Sequence, residues 1–122
     1  MYLLEIISDC KEVCMQIQTG KEKSVVVVSV KGKIDAVTAP DFEKALANFI
    51  AQGESNFLLE LSGLEYISSA GLRGILATAK QLKPKGGNIV FSGLRGPVKD
   101  VFAISGFGTI FKIFETKEDA LK

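Results

Sequence analysis

The sequence predicts a single α/β domain in which helices pack against a small, mostly parallel mixed β-sheet. Apolar, β-branched runs alternate with amphipathic segments of helical period, and those segments are long enough to serve as crossover connections between parallel strands. A length of 122 residues leaves little room for a second independent core. An opening hairpin adds an antiparallel pair, and the class would be α+β if that hairpin dominated the sheet.

The hairpin strands are predicted at residues 15–18 and 24–31, joined by a turn over residues 19–23. The second strand contains four consecutive valines from Val25 to Val28, a run typical of a strand that is buried on both faces. Further short strands are predicted at residues 57–61, 88–92 and 110–114.

The first helix is predicted to begin at a Thr38 cap and to end near Gly53, with Pro40 in its first turn. Its apolar residues recur at helical spacing and define one face: Phe42, Ala45, Leu46, Phe49 and Ile50. A second amphipathic helix stops before Pro84 and carries Leu72, Ile75, Leu76, Ala79 and Leu82. A short helix that carries Pro97, Val98, Val101 and Phe102 and closes around residues 105–106, and a final turn capped by Thr116, complete the pattern.

The charge balance argues against nucleic acid as a partner. Fifteen basic residues against fourteen acidic ones give a net charge of +1, with the lysines scattered along the chain. No stretch approaches the roughly 20 apolar residues of a membrane span, and the opening residues lack the features of a secretory signal. We therefore expect a cytoplasmic protein that does not insert into membranes. Cys10 and Cys14 are expected to be reduced thiols, the alternative being a labile disulfide or a dimer-linking thiol.

The residues needed for catalysis are largely absent. There is no histidine, and therefore no Ser-His or Cys-His pair and no histidine metal ligand. The glycines match no phosphate-binding loop. The spacing of the carboxylates singles out no acid–base pair among Asp35, Asp41, Glu43, Glu60 and Glu65. The sequence therefore predicts a protein that is not an enzyme, with no catalytic residues, no cofactor and no metal site.

The most informative stretch is residues 59–76, where a strand leads through a short loop into a helix. Ser68 or Ser69 lies where the helix N-cap is expected. In one interpretation Ser69 only caps the helix, which is worth about 0.5–2 kcal/mol, and Ala70 and Gly71 allow tight packing. In the other, two hydroxyls at the positive end of a helix form a phosphorylation site. A phosphate of about −1.5 to −2 charges would leave the domain folded but disrupt a partner packed on the loop.

The Ser-Ser-Ala-Gly-Leu turn at residues 68–72 resembles the signature of the STAS domain family of anti-sigma factor antagonists. Residues 30–35, 82–87 and 97–107 are similar to further parts of the family pattern, in the same order. The resemblance covers residues 13–121. It predicts a STAS domain over 13–122, preceded by an extension over 1–12 whose role it does not assign.

The resemblance implies a function as well as a fold. Typical family members bind an anti-sigma factor, a GHKL-type serine kinase, and thereby free a sigma factor. The kinase phosphorylates the serine two residues before the glycine, and a PP2C-type phosphatase removes the phosphate. On this sequence the phosphoacceptor would be Ser69. Ser68 stands where many antagonists have aspartate, which makes it an alternative acceptor.

The resemblance also implies partner-binding roles for Asp35, Ala70, Gly71 and Arg73. Asp35 could instead be a turn residue bonded to its own backbone, and Arg73 a solvated helix residue. Two other functions compete with the phosphorylation switch. One is a non-phosphorylated STAS interaction subunit, such as part of a phospholipid transporter, in which Ser69 is only a cap. The other is a weak nucleotide-binding or hydrolysing role, suggested by the strand–turn–helix geometry alone.

Overall fold

The computed structural model describes the backbone of residues 3–6 and all of residues 15–121. Cys10 and Cys14 lie outside the described residues, so the expectations about their thiols stay predictions. Within the described ranges, six strands form one sheet in chain order: β1 (Leu3–Ile6), β2 (Met15–Glu22), β3 (Val25–Ile34), β4 (Asn56–Ile67), β5 (Asn88–Ser92) and β6 (Lys112–Phe114).

The sheet is mixed, with its antiparallel pairs at one side. β1 pairs with β2, and β2 with β3, in antiparallel orientation. β3, β4, β5 and β6 are parallel neighbours. The predicted architecture of a mostly parallel mixed sheet with an opening hairpin is therefore confirmed.

Helical segments connect the parallel strands and follow the last one. In the described part of the chain they are α1 (Ala39–Ala51), α2 (Ser69–Leu82), α3 (Gly96–Ser105), α4 (Phe107–Ile110) and α5 (Lys117–Ala120), with a 3₁₀ turn at Lys83–Lys85 after α2. None of the helices in these ranges has the length and apolar character that a bilayer crossing requires.

Several predicted boundaries are wrong. The second hairpin strand was expected to end at Lys31, but β3 continues to Ile34. The hairpin turn was expected to span residues 19–23, but β2 continues to Glu22 and the turn is made by Lys23 and Ser24. Both have positive φ, 51° and 67°, as a tight two-residue hairpin turn requires. β4 extends well beyond the predicted 57–61, to Ile67. Ile110 lies in the helical turn α4 rather than in the last strand.

The family resemblance assigns no role to residues 1–12, yet four of them form a strand. β1 pairs with β2 in the register Leu3↔Thr19 to Ile6↔Gln16. Because β2 would otherwise be an edge strand, this pairing satisfies backbone groups that it would leave open.

The core lies between the sheet and the helices that connect its parallel strands. Alternate valines of β3, Val26, Val28 and Val30, are buried in it, and Val27 is buried on the opposite face. Burial on both faces is what the valine run predicts. The predicted apolar face of α1 is also confirmed, with its fully buried members being Phe42, Leu46 and Ile50.

A cluster of aromatic rings fills the core beneath α3 and α4. The Phe91 ring lies edge-on to Phe102 and Phe111, at centroid distances of 5.1 and 5.2 Å. Phe107 contacts both of these neighbours.

The parallel strands β3 to β6 all end at one side of the sheet, here called the carboxyl edge, and the loops that follow these strands begin there.

Candidate functional site

The loops after β3 and β4 start side by side at the carboxyl edge. The last registered pair of these parallel strands is Ile34↔Ile67. Directly after it, the Ser68 N–H donates to the Ile34 carbonyl oxygen at 2.8 Å. This bond joins the loop that begins with Asp35 to the turn that opens α2. The structure therefore brings together the two sequence motifs that the family resemblance singled out.

Ser68 is the N-cap of α2. Its backbone is extended, with φ −92° and ψ 172°, and its Oγ accepts a hydrogen bond from the Gly71 N–H at 3.2 Å. Its carbonyl oxygen accepts from the Leu72 N–H at 3.0 Å, which is the first bond of the helical ladder. The interpretation in which Ser69 caps the helix is therefore wrong: Ser68 occupies the extended position that a cap requires.

Ser69 is the first helical residue and is exposed. Its hydroxyl makes no hydrogen bond to any described residue. The N–H groups of Ser69 and Ala70 precede the first ladder donor, Leu72, so neither has a partner within the helix. A free hydroxyl thus stands beside uncommitted backbone donors at the positive end of a 14-residue helix.

Asp35 organises the loop between β3 and α1. Its Oδ1 accepts hydrogen bonds from the backbone N–H groups of Thr38 at 3.0 Å and Val37 at 2.9 Å. The Thr38 N–H, helped by the other donors, lowers the pKa of the Asp35 carboxyl below its usual range, against a smaller opposing effect of desolvation. These contacts fit the turn-residue interpretation of Asp35; the partner contact stays a prediction.

Thr38 stands at the expected start of α1, but its side chain does not cap the helix. Its Oγ1 donates to the Lys33 carbonyl oxygen at 2.9 Å and accepts from the Asp35 N–H at 2.9 Å. The predicted Thr38 cap is therefore wrong, because its hydroxyl bonds back into the loop. The bonds of Thr38 and Asp35 fix the loop from both sides.

Gly71 is buried and allows α2 to approach the sheet closely. A Cβ atom at this position would lie 2.7 Å from Ile34 Cγ2 and 2.8 Å from Ile67 Cγ1, closer than such atoms approach in real structures. The structural contribution of Gly71 is thus the close packing of α2. Ala70, its neighbour, is partly buried and faces the groove between α1 and α2.

The α1–α2 groove runs from the site along the surface of both helices and has a volume of about 330 Å³. Arg73, one turn after Ser69, lines it and is exposed, with no ion pair to a described residue. Gly74 lets the helices meet, since its Cβ would lie 2.7 Å from Glu43 Cγ. Glu43 lines the groove as well, and the other lining residues are small or apolar: Ala36, Ala39, Pro40, Ala70 and Ala77.

Val37 is the residue of this surface that sequence reasoning missed. It is 76% exposed, although it is a large aliphatic residue, and it follows the loop anchored by Asp35. The sequence did carry a signal for this exposure, because Val37 falls outside both the predicted strand and the predicted helix. The exposed surface formed by Ala36, Val37, Pro40, Ser69 and Arg73, here called the switch face, is therefore apolar apart from one hydroxyl and one cation.

Neither a metal-binding cluster nor a base at Ser69 is found among the residues that the structure describes. Among residues 15–121, no group of three or more acidic or cysteine side chains is placed to hold a metal ion. The surroundings of Ser69 contain no side chain bonded to its hydroxyl that could act as a base.

Comparisons with known proteins place the chain in a family. The model of the STAS domain matches residues 16–120. BtrV of Bordetella bronchiseptica, a protein named as an anti-sigma factor antagonist, is 37% identical over 106 residues, covering 87% of this chain and 91% of the relative. The anti-sigma-F factor antagonist RsfB of Mycobacterium tuberculosis is 29% identical over 107 residues, covering 86% and 85%.

Solved structures show the same fold. An anti-sigma factor antagonist from Mycobacterium paratuberculosis is 31% identical, with a TM-score of 0.79 over 88% of this chain and 91% of that one. SpoIIAA in its unphosphorylated form is 18% identical, with a TM-score of 0.68 over 85% and 92%, and therefore shows the fold alone. Anti-sigma factor antagonists of this kind are regulatory binding proteins rather than enzymes. On its sequence and its fold alike, this chain belongs to the STAS domain family.

Proposed function

We propose that this protein is a cytoplasmic anti-sigma factor antagonist whose binding is switched by phosphorylation of Ser69. The proposal rests on the exposed Ser69 hydroxyl at the first position of α2, which makes no hydrogen bond to a described residue. The neighbouring Ser68 hydroxyl, in contrast, is bonded as the helix cap. Relatives with 37% and 29% identity are named anti-sigma factor antagonists, which supports the class of partner. Binding the anti-sigma factor would free the sigma factor it holds.

Phosphorylation would leave this domain folded. The phosphate would lie near the uncommitted N–H groups of Ser69 and Ala70 and near the positive end of α2, both of which favour an anion. Ser69 is exposed, so the added group displaces only solvent. The cost of the new charge therefore falls on the complex rather than on the domain.

The switch face explains how the modification would break binding. Ala36, Val37 and Pro40 present apolar surface that a partner can cover, and Ser69 borders it. A dianion at this border would be desolvated against the partner without a matching charge, which is costly. Ala70 and Arg73 extend the contact into the α1–α2 groove. Asp35 acts through the loop it holds, by presenting Val37.

The partner that modifies Ser69 would be the anti-sigma factor itself, a GHKL-type serine kinase. In that step Ser69 Oγ bonds to the γ-phosphorus of ATP while the bond from that phosphorus to the ADP oxygen breaks. The hydroxyl proton must pass to a base on the kinase, because no base contacts Ser69 in this chain. A PP2C-type phosphatase would return the free serine by hydrolysis.

Ser68 is the weaker candidate for the acceptor. Its Oγ is partly buried and accepts the bond from the Gly71 N–H. Modifying it would place a phosphate at the cap position and disturb the start of α2. Ser69 can be modified with the cap intact.

The test combines intact-mass analysis of the protein from its native cells with binding assays on variants. We expect an increment of about 80 Da that maps to Ser69 and changes with growth condition. Ser69→Asp should weaken binding of the anti-sigma kinase at least about tenfold, whereas Asn88→Asp should leave it unchanged. Asn88 is exposed at the start of β5, away from the carboxyl edge, so this variant controls for added charge alone.

The alternative is a non-phosphorylated STAS interaction subunit, for example in a phospholipid transporter. It predicts no mass increment under any condition, and equal binding of the native partner by wild type, Ser69→Asp and Ser69→Ala. That combined result would refute the switch.

A further inference from the structure

A larger cleft lies elsewhere on the carboxyl edge, between α3 and β6. This α3–β6 cleft has a volume of about 620 Å³, within the range of about 300–1,000 Å³ common to small-molecule sites. Its lining begins at Gly93 and Leu94, which follow β5, and includes Glu115 and Thr116, which follow β6. None of its lining residues belongs to the α1–α2 groove or to the switch face.

The body of the cleft is apolar. Phe102 forms part of its base and is almost completely buried, while Leu94, Ala103, Ile113 and Phe114 contribute to its walls. Ile113 is 38% exposed, which leaves a branched aliphatic side chain open to solvent at the edge of the protein. An apolar group placed here would remove this surface from water, which is favourable.

Two cations lie among these apolar residues. Arg95 and Lys99 are exposed, line the cleft, and are one turn apart at the start of α3, where the Lys99 N–H donates to the Arg95 carbonyl oxygen at 3.3 Å. Neither forms a salt bridge with a described residue. Glu115 is the acidic side chain of the described lining, so cations outnumber anions by two to one.

We propose that the α3–β6 cleft binds a small single-chain amphipathic anion, of the class of medium-chain fatty acids. The apolar chain would lie against Leu94, Phe102 and Ile113, and the charged head group would lie between Arg95 and Lys99. Within the lining of the cleft, charge complementarity favours an anionic amphiphile over a cationic one, because Arg95 and Lys99 outnumber Glu115. The adjoining pocket shares Arg95 and Glu115 and adds Glu60, Glu118 and Lys117, so Lys99 is the cation of the cleft that lies away from these carboxylates. The proposal does not depend on the function of Ser69.

The test is calorimetric titration of the full chain with octanoate and decanoate below their micelle-forming concentrations. Decanoate should bind about 15-fold more tightly than octanoate, because each buried methylene is worth about fourfold in affinity. Lys99→Gln should weaken decanoate binding at least about threefold. Lys80→Gln is the matched control, since Lys80 is an exposed lysine on α2 outside the cleft, and it should have no effect.

A second variant and a second ligand keep the test decisive. Ala103→Phe should fill the cleft and weaken decanoate binding at least about tenfold, in a protein whose circular dichroism and thermal transition show that it is folded. The decyltrimethylammonium cation should bind much more weakly than decanoate. The proposal is overturned if decanoate does not bind at millimolar concentration, if the cation binds equally well, or if Lys99→Gln and Lys80→Gln behave alike.

Discussion

Replacing Ser68 with alanine removes the side-chain cap of α2 and tests how the site is built. The Ser68 Oγ accepts from the Gly71 N–H at 3.2 Å, and this donor would be left without its partner. Serine-to-alanine changes at an N-cap cost about 0.5–2 kcal/mol, and the moderate length of this bond points to a loss of about 1 kcal/mol. In a domain of this size that loss lowers the midpoint of thermal unfolding by about 3–6 °C.

The matched control is Ser69→Ala, one residue along the same turn. The Ser69 hydroxyl is exposed and unbonded, so the free energy of unfolding should change by less than about 0.5 kcal/mol. Urea titrations followed by far-ultraviolet circular dichroism would measure both variants, and equal slopes against urea would validate the comparison. If Ser69→Ala costs as much as Ser68→Ala, the assignment of the cap and of the free acceptor hydroxyl would both be refuted.

Three further outcomes are expected. Gly71→Ala should destabilise the domain by about 1 kcal/mol, because the cost of crowding a methyl group into the core exceeds the gain in helix propensity, which is itself about 1 kcal/mol. Gly74→Ala should be neutral or stabilising, because its methyl group meets the movable Glu43 side chain. Urea titrations would measure both variants. Because the pKa of Asp35 is lowered in the folded protein, its carboxylate contributes stability above the unfolded pKa of about 3.9, and this contribution is lost as the pH falls through the folded pKa. In Asp35→Asn, the free energy of unfolding should therefore depend less steeply on pH below about pH 4. Phe91→Leu should cost about 1–3 kcal/mol, by urea titration, because two edge-on ring contacts are lost.

Each of these expectations has an outcome that contradicts it. Equal effects of alanine at Gly71 and Gly74 would show that α2 can shift away from the sheet. An unchanged acid limb in Asp35→Asn would show that the carboxylate bonds to Val37 and Thr38 contribute no net stability. A loss below about 0.5 kcal/mol for Phe91→Leu would show that the aromatic cluster repacks freely.

The parts of the fold that could be predicted are those with a strong periodic signal. The face of α1 that carries Phe42, Leu46 and Ile50 repeats at helical spacing, and the valine run of β3 is apolar at every position. Such patterns reflect burial directly. The far end of β4 lacks such a pattern, because the pairing with β3 is shifted by irregularities after Ser29 and Gly32. The regular alternation of a strand is lost there, so the strand's extension to Ile67 was missed.

The candidate site was only partly predictable. The motif identified Ser68 and Ser69 together, but which hydroxyl caps the helix depends on backbone conformation, and the extended ψ of Ser68 decides it. Thr38 was a reasonable cap by composition, yet the Lys33 carbonyl and the Asp35 N–H compete for its hydroxyl. The exposure of Val37 depends on that same loop conformation. Local sequence patterns do not report competition between such partners.

The hydrogen bond from Ser68 to Ile34 joins two loops that are more than thirty residues apart in sequence. A partner bound at the proposed switch face would therefore meet two loops that are already joined before contact. Little conformational entropy is lost on association, and the complex can form without a slow rearrangement of this domain. The association rate of such a regulator would be set by how often it encounters its partner. Its affinity would then be tuned through the lifetime of the complex.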